Sequence, residues 1–210
     1  MILNAKEDAM WDANQIDHEL KQAEEALKNL GTAVTIFGSA RIPEDDHYYH
    51  ATVEVAQKIA EAGFAIISGG GPGIMAAANQ GAVQGKAESV GLNIVLPREQ
   101  HPNPYQTKSL KFSQFIPRKL TFFNYSSAFI CMPGGFGTLD ELFEVLTLIQ
   151  TGKLKRSPVM LYDNDFWAQL FAWFKTSLMD KKLISADTFD WVYIVNSTEE
   201  VMEILKKHNV

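Results

Sequence analysis

From Ala33 onward, short apolar runs alternate with amphipathic stretches, and this alternation limits the possible folds more than any other feature. Ala33–Phe37, Phe64–Ser68, Val90–Leu96, Ala128–Met132, Pro158–Tyr162 and Val192–Val195 read as strands. Between them, Tyr48–Ala62, Ile74–Gln84, Pro117–Tyr125, Leu139–Gln150 and Phe166–Met179 read as helices. Ser197 and Glu200 form a capping box for a last helix. Strands alternating with helices imply an α/β fold, with a mostly parallel sheet covered by helices on both faces. The strands are continuous apolar runs, as buried parallel strands are.

Ahead of this pattern, residues 5–30 read as one amphipathic helix. Ile16, Leu20, Ala23, Leu27 and Leu30 form its stripe, and Gly31 ends it. We divide the chain into an N-terminal helical extension, residues 1–31, and a ligand-binding domain, residues 32–210. The stripe packs either on its own domain or on a neighbouring subunit. The stretch Arg98–Tyr105, with Pro102 and Pro104, is the longest irregular piece, either a loop over the site or a plain surface connection.

Composition narrows the partners. The chain has 210 residues, 46% hydrophobic and 21% charged, enough for a sizeable core without disulfides. Its net charge of −6 argues against nucleic acid, which asks for a basic face. A small phosphorylated ligand needs only a local cluster of donors. The single cysteine, Cys131, makes no internal disulfide, which favours a reducing, cytoplasmic setting. Lys6, Glu7, Asp8 and Asp12 leave no apolar signal segment, and no run is long enough to span a membrane.

In an open parallel sheet the carboxyl ends of all strands share one edge, where ligands bind at the switch point. Gly38-Ser39, Gly69–Gly73 and Gly134–Thr138 each follow a strand, so they should converge there. Glycines let backbone N–H groups approach an anion, and a following helix start adds further free donors. The turns match neither the dinucleotide fingerprint nor the Walker A loop, which favours a monophosphate ligand.

With a helix from Leu139, Glu141 stands in its first turn beside this anion site. It serves either as a catalytic carboxylate or as a plain complement to the helix dipole. Arg118-Lys119 lies on a helix leading into a strand. The simpler reading is a solvated face; the other is an arginine that holds phosphate or orients substrate. His47 and His50 lie near a helix start, and His18, His101 and His208 are scattered. No residues have metal-ligand spacing, so no metal is expected. Cys131 reads as inert core, and Trp167, Phe171, Trp173 and Phe174 as core or interface.

Gly69-Gly70-Gly71-Pro72-Gly73-Ile74-Met75 and Pro133-Gly134-Gly135-Phe136-Gly137-Thr138-Leu139-Asp140-Glu141 resemble the two signature segments of the LOG (LONELY GUY) family. Members of that family were long mislabelled lysine decarboxylases. Arg118-Lys119 matches the family's Arg-Lys pair. The N-terminal helix and Gly91–Pro97 look like the longer bacterial branch. The resemblance implies a modified Rossmann-like fold, homo-oligomers built on a dimer, and no cofactor. It implies hydrolysis of a nucleoside 5′-monophosphate, a cytokinin riboside monophosphate or AMP, to free base and ribose 5-phosphate. It assigns catalysis to Arg118 and Glu141. Substrate contacts fall on Gly38, Ser39, Gly70, Gly71, Gly73, Met75, Pro97, Lys119, Gly134, Gly135, Gly137 and Thr138. Decarboxylation would need a lysine that holds pyridoxal phosphate, and no lysine has a recognisable setting for it. The same fold used as a nucleotide sensor or cofactor carrier is the alternative. A structural role through the N-terminal helix is a third.

Overall fold

The computed structural model describes residues 11–96 and 101–210. Its elements are α1 (Ala13–Leu27), β1 (Ala33–Phe37), α2 (His47–Glu61), β2 (Ala65–Ser68), α3 (Ile74–Gln84), β3 (Ser89–Ile94) and β4 (Lys108–Phe112). They continue as α4 (Phe115–Tyr125), β5 (Ala128–Cys131), α5 (Phe136–Gln150), β6 (Val159–Tyr162), α6 (Asn164–Trp173), β7 (Val192–Val195) and α7 (Thr198–Lys207). The strands form one seven-stranded sheet in the order β4-β3-β2-β1-β5-β6-β7, and every pairing is parallel. This is a Rossmann-like α/β arrangement.

Both faces of the sheet are buried, and neighbouring residues on a strand serve opposite faces. Phe37, Ile67, Leu92 and Phe129 pack with Phe122 of α4, Leu142 of α5 and Trp167 of α6. Ile36, Ile66 and Ile130 pack with Val55 of α2, Ile74 of α3 and Val201 of α7. That two-sided burial is why the strands read as unbroken apolar runs.

The stripe of α1 packs on its own domain, against α4 and β4. Asp12 caps the helix by accepting from the Asn14 and Gln15 N–H groups. Ala23, Leu27 and Leu30 join the core, although the helix stops at Leu27, so Leu30 lies beyond its end. Residues 5–10 of the expected helix lie outside the described residues. Glu19 is an unanticipated buried member of this face. Its Oε1 accepts from the Ser113 N–H at 2.8 Å and from the Ser113 hydroxyl at 2.7 Å, just ahead of α4.

Three local readings change. β4 carries no sequence expectation, because its half-buried Lys108 and exposed Lys111 interrupt the apolar signal, as charges on edge strands do. The expected helix Phe166–Met179 divides into α6 and a π-helical turn, Phe174–Met179. At α7, Ser197 Oγ accepts from the Glu200 N–H at 3.2 Å, but the Glu200 carboxylate takes the Asn196 N–H, one residue before the cap.

Leu27 is 1% exposed and joins α1 to the main core. Leu27→Ala is expected to destabilise the whole protein by about 2–4 kcal/mol. Urea unfolding followed by circular dichroism checks this; an unchanged midpoint would mean that α1 adds nothing to the cooperative unit.

Candidate active site

Strand order reverses between β1 and β5, so a crevice opens outside their carboxyl ends. Ser39 joins all three expected turns there. Its N–H donates to the Pro133 carbonyl at 3.1 Å, and its own carbonyl accepts from the Ile74 N–H at 3.0 Å. Gly73 caps α3 at φ 65°, and a Cβ on it would overlap the Ser39 carbonyl oxygen. Position 73 is therefore a glycine for two reasons, backbone angle and close approach.

The resulting cleft has a volume of about 710 Å³. Of the residues singled out from sequence, Gly38, Ser39, Met75, Arg118, Gly135, Gly137, Thr138 and Glu141 line it. Gly70, Gly71, Gly73 and Gly134 do not; they shape the turns. Pro97 lies outside the described residues. Lys119 is turned away, its Nζ 3.2 Å from Asp140 Oδ2 and 2.6 Å from Glu144 Oε2. In this chain it braces α4 against α5 rather than facing the cleft.

α5 begins at Phe136, three residues earlier than its apolar pattern suggests, with Gly135 as N-cap and no side-chain cap. The first turn of a helix leaves N–H groups without intrahelical partners. Here that turn lines the cleft, which makes it a candidate anion site. The earlier start also moves Asp140 and Glu141 into the second turn. The field of a helix end has largely fallen off there, so dipole complementation does not account for them.

Glu141 and Arg118 face each other across the cleft floor, Oε1 to Nη1 at 3.5 Å, with side chains 13% and 8% exposed. The solvated reading of Arg118 therefore fails. Its Nε donates to the Leu92 carbonyl at 2.7 Å and its Nη2 to the Gly69 carbonyl at 3.4 Å. The Phe122 ring lies 5.2 Å from the guanidinium carbon. Five N–H donors serve these three oxygens, so the guanidinium retains capacity for a ligand. Burial pulls the Arg118 pKa down, and Glu141 opposes that pull. Burial pushes the Glu141 carboxyl up from 4.5 to about 7, against the opposing pull of Arg118. A carboxyl poised there can exchange a proton near neutral pH. Cys131 lies buried in β5, and burial raises its thiol further from ionisation.

The family model described as "Possible lysine decarboxylase" matches residues 75–205. The chain belongs to this family, the LOG family. Cytokinin riboside 5'-monophosphate phosphoribohydrolase LOG of Oryza sativa subsp. japonica is 31% identical over 144 residues, 67% of this chain and 58% of that protein. The chain thus spans less than two thirds of that relative's length. The LOG2 phosphoribohydrolase of Arabidopsis thaliana is 23% identical over 88% of this chain and 87% of its own length. The molybdenum cofactor binding protein from the phototrophic bacterium Rippkaea orientalis shares the fold, with a TM-score of 0.64 and 21% identity. That match covers 85% of this chain and 98% of the other.

Sequence reasoning missed several members of this LOG-family site. Arg41, Ile94, Leu96, Phe115, Phe136 and Leu139 also line the cleft, and Phe136 is 91% exposed. Asn103 and Gln106 hold the Gly69–Gly73 turn through the Gly70 and Gly71 carbonyls, and Asn79 and Asn93 anchor those two side chains. One signal was available: Asn93 is a polar residue inside the run Val90–Leu96 that otherwise reads as apolar. No lysine lines the cleft among the described residues.

The raised Glu141 pKa has a consequence for stability. Between pH 4.5 and about 7 the folded chain holds more proton at Glu141 than the unfolded chain does. Stability therefore falls as pH rises through that window. A rise of this size corresponds to about 3 kcal/mol. Glu141→Gln is expected to be more stable than the parent at pH 8 by roughly that amount and nearly equal at pH 4.5. Urea midpoints across that range check the sign.

Proposed function

We propose that this chain hydrolyses the N-glycosidic bond of a purine nucleoside 5′-monophosphate, AMP or a cytokinin riboside 5′-monophosphate, giving free base and ribose 5-phosphate. The observation that carries the reading is the buried Glu141, paired with Arg118 and sharing one cleft with an uncapped helix start. The names of its relatives support the same reaction class.

The start of α5 takes the 5′-phosphate, with Gly38 and Ser39 lining the same cleft. Fixing the phosphate places the sugar against Glu141. The bond from C1′ to the base nitrogen breaks with its electron pair leaving on the base, and positive charge develops on the sugar. The Glu141 carboxylate stabilises that charge and accepts a proton from the water that adds to C1′. Glu141 then gives that proton up to solvent and the departed base nitrogen takes one from solvent, so the products are neutral base and ribose 5-phosphate. Arg118 opposes the effect of burial and so favours the Glu141 carboxylate, and it offers its remaining N–H donors to ligand oxygens. Ile94, Leu96 and Phe115 supply an apolar wall that suits a purine. A lysine-based decarboxylation has no candidate residue in this cleft. The reaction fits a cytoplasmic setting.

Incubation with AMP and with isopentenyladenosine 5′-monophosphate should release free base from at least one of them. Glu141→Gln should lower kcat by about a hundredfold or more while Kd stays within a few-fold. Tight binding measured by calorimetry, with no product from either nucleotide, would favour a nucleotide carrier instead.

We further propose that the enzyme works as a homo-oligomer. Ile116 and Leu120 lie one turn apart on α4 and are 45% and 37% exposed. Light scattering should give more than one monomer mass, and Ile116→Glu with Leu120→Glu should lower it. An unchanged assembly would place the contact elsewhere.

A further inference from the structure

We propose that Asn103 and Gln106 are positioning residues of the site, clamping the Gly70 carbonyl and so fixing the turn whose Gly69 carbonyl holds Arg118. In its kinetic part this rests on the function proposed above.

The Gly70 carbonyl accepts three hydrogen bonds from one short segment. They come from the Asn103 N–H at 2.8 Å, Asn103 Nδ2 at 3.0 Å and Gln106 Nε2 at 2.7 Å. The Gly70 N–H donates to Ser68 Oγ at 3.0 Å. Gly70 has φ 76°, and a Cβ there would overlap the Asn93 carboxamide. A residue in so constrained a conformation, held at both polar groups, has one available position.

The clamp is itself anchored. Asn103 Nδ2 also reaches the Gly71 carbonyl at 3.0 Å and Asn79 Oδ1 at 2.9 Å. Asn79 is fully buried and takes the Ser68 hydroxyl at 2.7 Å. Gln106 Oε1 accepts from Asn93 Nδ2 at 2.9 Å. Each carboxamide presents its nitrogen to oxygens, which fixes its orientation. None of these side-chain atoms is left without a partner. A fully satisfied buried network of this kind specifies one geometry.

Position 69 carries the consequence. The Gly69 carbonyl takes Arg118 Nη2 on one side, and Gly69 and Met75 line the cleft on the other. The Gly69 carbonyl shares a peptide unit with the Gly70 N–H, so a shift at Gly70 moves it, and with it the guanidinium that faces Glu141. This gives the irregular segment around Pro102 and Pro104 a role that needs no contact with substrate. It also explains the Gly91-Leu92-Asn93 run. A Cβ at Gly91 would overlap the Gln106 carboxamide, and Asn93 orients that same carboxamide.

Asn103→Asp keeps the shape but turns an oxygen toward Gly70, Gly71 and Asn79. Gln106→Glu does the same toward Gly70 and Asn93 Oδ1 and serves if the first variant does not fold. We expect kcat/KM for AMP to fall about tenfold or more, chiefly in kcat, because misplacing a catalytic group costs rate before it costs binding. We also expect the Arg118 Nε–H resonance in ¹⁵N spectra to shift or broaden while the unfolding midpoint stays cooperative. An unmoved Arg118 resonance in a folded variant overturns the proposal, as does a shifted resonance with wild-type kcat. If the parent hydrolyses no nucleoside monophosphate, the proposed function fails separately, and the Arg118 resonance alone decides the clamp.

Discussion

A buried guanidinium is costly unless its surroundings replace the water it has lost, and the site is built around how Arg118 meets that cost. The carboxyl ends of parallel strands supply the means. Leu92 in β3 and Gly69 just after β2 each point a carbonyl at the arginine, and Phe122 offers it a ring face. Glu141 provides the opposite charge at 3.5 Å, an ion pair without a tight hydrogen bond. Burial outweighs that loose pairing, so the carboxyl still rises to about 7. A tighter pair would pull Glu141 back toward ordinary acidity and occupy the donors a ligand needs. The looseness is what leaves both groups available for chemistry.

The fold was legible because two-sided burial writes itself into each strand as a continuous apolar run. β1, α3 and β7 have the bounds their patterns suggest. β4 was not legible, since an edge strand carries lysines for solubility and loses that signature. The start of α5 was hidden for a different reason. Its first turn is Phe136-Gly137-Thr138, a glycine-containing stretch that reads as loop until the cleft gives its free N–H groups a purpose.

The site was legible as a set of motifs and illegible as a set of contacts. Spacing alone left Arg118 on a solvated face, because the carbonyls that bury it stand 26 and 49 residues away in the chain. Asn103 and Gln106 gave no signal, because polar residues beside prolines describe any surface loop. Their partner Gly70 was visible only as one glycine in a run. The sequence does not separate the glycines that line the cleft from those that shape its turns, and Gly38 and Gly69 do both: each lines the cleft and leaves no room for a Cβ.

Arg118 and Lys119 are neighbours with opposite fates, and helical geometry accounts for the difference. A step of one residue rotates a side chain by about 100°, so one faces the sheet edge and the other the flank of α5. The same step separates Glu141 from Asp140 on the facing helix. Two ion pairs therefore run side by side between α4 and α5: Arg118 with Glu141 inside, and Lys119 with Asp140 and Glu144 toward the surface. The outer one is short, 2.6 Å at Glu144, while the inner one is long. Phe122 of α4 and Leu142 of α5 belong to one buried core, and that packing sets how closely the two helices approach. Both ion pairs inherit the spacing: the flexible lysine reaches across it to a short contact, while the buried arginine, held by backbone carbonyls, stops short of Glu141 and leaves a gap beside the carboxylate.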